Sequence, residues 1–259
     1  MKRPIVTTFC AMMLCSLLLI TVGTVMAAEP GYERYSYPTQ VIPTIDGMWT
    51  SNDEWTDGDV TWIGTDIAFR STWDMAGDDV LTRWIVEFFS DTTDDPGDYW
   101  QFCIDGQQSG GSSPQVGQHR MFKITGHTTI DWYMGDGSGW GTVTYGPSEI
   151  EWANSLSASP TNSTPHWILE FQIPKNEGTV TMSYIWNFFL GAFDASNPGA
   201  GELSWPPTDP NVPDEWGVEN YSSEPIPEGL TFGVMALLSS VSMLVGYKYF
   251  VKRKETKAQ

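Results

Sequence analysis

The residues of VLTRWIVEFF, positions 80–89, alternate strictly: Val80, Thr82, Trp84, Val86 and Phe88 share one side of an extended chain, and Arg83, Glu87 and Phe89 the other. Successive side chains of a strand point to opposite faces, so this spacing predicts a strand with one face in a core. The same period returns in YWQFCID, which groups Trp100, Phe102 and Ile104, and in HWILEFQIP, which groups Trp167, Leu169, Phe171 and Ile173. Further strands are expected over 63–73, 120–125, 129–134, 141–145 and 182–193, separated by clusters of Gly, Pro, Asn and Asp, with no helical period between 29 and 225. Many short strands with turn signals at such spacing specify an all-β chain folded as an antiparallel β-sandwich. The stretch NPGAGELSWPPTDPNVPDEWG, 197–217, is too rich in proline for a central strand. It predicts an ordered loop wrapped on the sandwich and held there by Trp205 and Trp216.

The ends of the chain read differently. Lys2 and Arg3 precede an apolar stretch from Ile5 to Val25, and Val25-Met26-Ala27 has the small-residue pattern of a signal-peptidase site. Residues 1–28 therefore read as a secretory signal, with an uncleaved N-terminal anchor as the alternative. Residues 229–251 carry no charge before Lys248 and are followed by a basic tail at 252–259. That pattern predicts one C-terminal transmembrane helix with the tail in the cytoplasm. What remains, 29–225, is an ectodomain with its core at 45–217, placed outside the cell on a single-pass membrane anchor. With 32 acidic residues against 13 basic ones and a net charge of −19, the chain lacks the basic footprint that nucleic acid requires.

Chemistry-bearing residues are sparse. Cys103 is the only thiol outside the signal segment, so no intramolecular disulfide is expected, and its apolar neighbours predict an inert strand thiol. The histidines, His119, His127 and His166, form no metal-binding or nucleophile motif, and no enzyme activity is expected. Among the acidic pairs, Glu149 and Glu151 are expected to solvate a strand face and Glu170 to pair with Arg83. His119, Met121, His127 and Met134 offer axial haem ligands without a spacing that selects a pair. Asn162 and Asn220 head glycosylation sequons.

The run DTTDDPGDYWQFCIDG gathers Asp91, Asp94, Asp95 and Asp98 around Pro96-Gly97 with no lysine or arginine among them. The spacing is not that of an EF-hand, so a solvated turn is one reading. The other is a structural Ca²⁺ held by some of these four carboxylates, with backbone carbonyls and water completing the shell. Asp105, about 20 Å away along the strand, is expected to cap a turn or serve a second site.

In the order IDGMWTSNDEW, Cys103-Ile104-Asp105-Gly106, LEFQIP and WPPTDPNVPDEWG, the motifs from Ile45 to Gly217 resemble those of the family nine carbohydrate-binding modules and the wider DOMON-like, jelly-roll sandwiches. The resemblance implies sugar binding between aromatic side chains and a structural calcium; some DOMON-like relatives hold haem or sugars. Pro227-Glu228 before the expected span resembles the sorting tails of archaeal surface proteins, with Gly229 where the best known have Phe. The partner implied is a glycan or cell-envelope polysaccharide. Trp132 and Trp140, beside glycine-rich turns, and Trp186 with Asn187 next to it, are the rings expected to meet it. The alternative is a non-catalytic structural or interaction protein of the cell surface that keeps the sandwich without the sugar site.

Overall fold

Alternation of apolar and polar side chains becomes strand throughout the computed structural model, which describes residues 29, 31–76, 79–143, 150–175 and 181–222. The strands are β1 (Glu33–Pro38), β2 (Thr61–Ile63), β3 (Ile67–Ala76), β4 (Asp79–Phe88), β5 (Tyr99–Asp105), β6 (His119–Thr125), β7 (Thr129–Gly135), β8 (Trp140–Val143), β9 (Glu151–Ser157), β10 (His166–Pro174), β11 (Ile185–Phe193), β12 (Leu203–Trp205) and β13 (Gly217–Tyr221). Their hydrogen-bonded order is β8-β7-β6-β5-β11-β13-β1-β3-β4-β10-β9, with β12 beside β11 and β2 beside β3. The expected signal at 1–28 and span at 229–251 lie outside the described residues. Among those described, no helix is long and apolar enough to cross a membrane.

Two layers face each other across one core. Trp84 of β4 sits 5.0 Å from Phe102 of β5 and 4.9 Å from Phe188 of β11, and Phe171 of β10 lies 5.0 Å from Phe102. Trp84, Trp100 and Trp167 are buried as their alternation predicts. Cys103 is buried and unpaired, and burial pushes its thiol well above the ordinary range. Edge-on and offset rings of this kind add specific attraction to the area they bury.

The sheet is mixed, where an antiparallel sandwich was expected. β1 joins the layers, running parallel to β13 through its first half (Glu33↔Val218 to Ser36↔Tyr221) and parallel to β3 through its second (Tyr37↔Thr72). Its sequence conceals this, because the inward positions of ERYSYP are Arg34 and Ser36. Arg34 is buried over the rings of Phe69 and Trp84, at 4.8 and 5.1 Å. Its Nε lies 3.5 Å from the buried Glu219 Oε2, and Ser71 Oγ donates to the same carboxylate. An ion pair thus occupies the seam where an apolar pair would have announced a strand.

Both outer faces carry loops. Trp49 and Trp55 of the IDGMWTSNDEW loop pack on Ile85 and Ile168, and Trp216 of the proline-rich loop packs on Cys103, Met121 and Phe189. The cover explains why outward charges are buried. Glu170 accepts from Trp55 Nε1 (2.8 Å) and from the backbone N–H of Asp46 (3.0 Å) and Gly47 (2.9 Å). The expected pairing of Glu170 with Arg83 is not made: the register sets Glu170 opposite Ile85 and Arg83 opposite Gln172, and Arg83 bonds Gln172 and Asp74 instead.

Strand directions sort the connections. The 89–98 loop, the 126–128 turn, the 158–165 loop and residues 194–195 gather at one end. The β5–β6 and β7–β8 connections, and the chain's departure from β13 at Tyr221, lie at the other. At that second end Asp105 caps a turn, accepting from Ser109 N (3.0 Å) and Oγ (2.9 Å) and from Gly110 N (2.8 Å).

Candidate functional site

The acidic loop between β4 and β5 is held from within and from its neighbours. Asp98 Oδ2 accepts from the Asp95 N–H at 2.9 Å and lies 3.1 Å from His127 Nε2, and its Oδ1 accepts from Ala195 N at 2.7 Å. Gly126 N donates to Asp98 O at 2.8 Å, which brings the β6–β7 turn against the loop. His127 sits in that turn at φ +57°, its ring flat against Trp167 with centroids 3.4 Å apart and planes 4° off parallel. Trp167 Nε1 in turn donates to Thr93 O. The ring cannot rotate without losing that stack.

Two groups of possible metal ligands result: Asp91, Asp98 and His127, all buried, and Asp95, Asp98 and Asp194. In each, one ligand atom from every residue lies within 4.8 Å of the others. Asp91 is 1 % exposed; its Oδ1 accepts from Thr93 N at 3.2 Å, while its Oδ2 is buried with no hydrogen-bond partner. Burial pushes the Asp91 carboxyl up to about 7, against the Thr93 N–H, with Asp98, Asp194 and Asp95 adding repulsion. His127 is 7 % exposed; its Nδ1 also lacks a partner, and burial lowers its pKa although Asp98 opposes the shift. A buried carboxylate oxygen left unpaired is costly, and either a proton, which the raised pKa favours, or a cation satisfies it.

Of the four aspartates expected to share a cation, Asp91, Asp95 and Asp98 are brought into these groups. Asp94 belongs to neither: it is exposed, and lines an open cleft of about 510 Å³ with Pro96, Thr125, Gly126, Thr128, Thr129 and Asp131. His127 and Asp194 were not among the expected ligands, because only strand register delivers them to the loop.

The expected sugar-facing rings separate. Trp186 is 0 % exposed, enclosed by Trp84, Phe102, Phe188 and Tyr221. Asn187 is on the opposite face of the same strand, buried, where it accepts from Gln108 Nε2 at 3.2 Å. The two-residue period that recommended SYIWNFF as a strand also parts these neighbours. Trp132 is half-buried on the core side, 5.5 Å from Phe122.

Trp140 is half-buried on the outer face, stacked on the buried Trp216 at 6.1 Å and 4° with Tyr133 beside it. Polar groups occupy the same face. Tyr99 OH and Gln101 Nε2 each donate to Glu202 Oε2 at 2.7 Å, and Lys123 Nζ lies 3.4 Å from the centre of the Tyr99 ring. Burial raises the Glu202 carboxyl and the Tyr99 phenol, and lowers Lys123. A further ring went unnoticed in the sequence: Trp62, 52 % exposed and stacked on Phe89 at 5.5 Å and 28°. The sequence held no signal for it, because the three-residue β2 is too short to show a period and its facing is set by the pairing with β3.

No protein-family model matches the chain, and no curated protein matches it. Among solved structures it is similar to a carbohydrate binding module family 9 from Caldicellulosiruptor kristjanssonii, in complexes with glucose and with cellotriose. The glucose complex has a TM-score of 0.48 at 12 % identity, covering 74 % of this chain and 97 % of that one. The cellotriose complex has the same score and identity, covering 76 % and 96 %.

Proposed function

We propose that this chain is a non-catalytic carbohydrate-binding module, displayed outside the cell on a C-terminal membrane anchor, that binds a glycan or cell-envelope polysaccharide on the outer face of the β8–β11 layer. The observation that carries this reading is Trp140 lying flat against Trp216. One indole face is braced by a buried ring, and Tyr99, Gln101, Lys123 and Glu202 lie farther along the same sheet face, toward the start of β5, where an extended glycan rather than a single sugar would reach them. A pyranose needs an apolar ring to stack on and donors and acceptors beside it for its hydroxyls. Trp62 on Phe89 belongs to the other layer and Trp132 to the core side of this one, so Trp140 is the ring this face offers. Calcium, an oxygen-seeking ion, suits the Asp95, Asp98 and Asp194 group, and there it would tie the acidic loop to the end of β11.

Binding is tested on a glycan array with the full-length chain in mild detergent, beginning with glucose and cellotriose. Trp140→Ala is expected to weaken binding by about tenfold, the loss of roughly 1 kcal/mol or more of stacking, with the melting temperature checked in parallel. A folded Trp140→Ala chain that binds as before refutes this face as the site. A wild-type chain that binds no glycan leaves the interaction-protein alternative.

A further inference from the structure

We propose that the Asp91, Asp98 and His127 group binds a transition-metal ion of the zinc class, distinct from any calcium held by the neighbouring oxygen-only group with which it shares Asp98. The two side-chain atoms without partners here are Asp91 Oδ2 and His127 Nδ1, a carboxylate oxygen and an imidazole nitrogen, both buried. Because an ionised Asp98 carboxylate can only accept, the tautomer that bonds it carries its proton on Nε2, 3.1 Å from Oδ2, and leaves Nδ1 a bare lone pair. Ca²⁺ takes oxygen ligands in six- to eight-fold shells, whereas imidazole with carboxylate suits Zn²⁺ and its d-block neighbours at lower coordination number.

Preorganisation points the same way. His127 is fixed by the parallel stack on Trp167 and by Asn154 Nδ2, which donates to its carbonyl at 2.9 Å. Asp98 is fixed by the N–H groups of Asp95 and Ala195. A carboxylate bonded to the second nitrogen of a ligating histidine is the usual device for orienting the ring and raising its basicity. Coordination through Nδ1 keeps that bond, with Asp98 then orienting the ring and Asp91 and water completing the shell, and displaces no proton from the ring. Coordination through Nε2 breaks it and moves the ring proton to Nδ1, where no acceptor meets it.

The test uses the full-length chain, stripped with chelator and then loaded with Co²⁺ or Zn²⁺, each with and without excess Ca²⁺. One Co²⁺ per chain should bind with visible ligand-field absorption, be displaced by Zn²⁺ and persist in Ca²⁺. His127→Asn, which tolerates the left-handed backbone at this position, should weaken Co²⁺ binding by at least the roughly 10- to 100-fold that loss of an outer partner alone costs. It should leave any melting-temperature rise caused by Ca²⁺ unchanged. Asp91→Asn should lower Co²⁺ affinity likewise, a second readout should His127→Asn fail to fold. A chain that is stabilised by Ca²⁺ and takes no Co²⁺ overturns this inference while sparing the calcium reading. A Co²⁺ spectrum unchanged in folded His127→Asn or Asp91→Asn overturns it as well, and stabilisation by Co²⁺ alone removes the calcium reading instead.

Discussion

Glu170 gives the most direct test of how the covering loops are held. Its carboxyl is fully buried beneath the IDGMWTSNDEW loop, and burial raises it from 4.5 to about 7 against the donors Trp55 Nε1, Asp46 N and Gly47 N, with Glu54 adding repulsion. A shift of that size corresponds to about 3 kcal/mol, at roughly 1.4 kcal/mol for each pH unit. The native state holds this proton more tightly than the unfolded chain does. The contribution is therefore present in full below about pH 4.5 and is lost as pH rises through about 7. Substitution Glu170→Gln removes the titration and keeps the shape, at a pH-independent cost of about 1–3 kcal/mol, because one amide oxygen replaces two acceptors under three donors. Asp91 shifts in the same direction, so the informative quantity is the difference between the two proteins. Thermal melts of wild type and Glu170→Gln should show the variant's deficit shrinking by about 3 kcal/mol between about pH 4.5 and 7.5, or roughly 6–12 °C in melting temperature. A deficit that stays constant over that range refutes the raised carboxyl and the reasoning from burial.

At the seam, removing one partner of the Arg34–Glu219 pair by Glu219→Gln or Arg34→Met should destabilise by about 3–5 kcal/mol in urea titration, and the double replacement Arg34→Met with Glu219→Leu should recover most of it; additive losses would mean the pair is not coupled. In a glycosylating host, mass spectrometry of tryptic peptides should find glycan at Asn162, in an outer turn where its Oδ1 accepts from Thr164 N at 2.9 Å. Asn220 should be bare, because it is 9 % exposed and its Nδ2 is bonded to Glu33 Oε1 at 2.9 Å; glycan on Asn220 would contradict the fold at β13.

The strands most legible in the sequence are those whose inner face is dominated by aromatic and aliphatic residues. β4, β5 and β10 announce themselves because Trp84, Phe102 and Phe171 recur in phase with aliphatic neighbours. β1 and β13 do not, because Arg34 and Glu219 stand where the pattern needs apolar residues. β9 escapes because EWANSLS is a half-buried edge, and β12 because Leu203–Trp205 is too short to show a period. The acidic loop was legible as a cation candidate from composition. Its histidine was not, since His127 reaches Asp98 only through the pairing of β5 with β6. Trp186 shows the converse: alternation located its strand, but a side chain's direction, inward or outward, depends on a partner sheet that local sequence does not specify.

The placement of β13 also sets how the sandwich meets force. β13 is the last described strand, flanked by β1 on one side and β11 on the other. Tension applied beyond Tyr221 therefore runs along the strand axis and loads both hydrogen-bonded ladders in shear. Every bond from Gly217 to Tyr221 shares the load, so the strand cannot be peeled away one bond at a time. Because the acidic loop and the 158–165 loop lie at the opposite end, a load entering at Tyr221 must cross the whole layer before it reaches them.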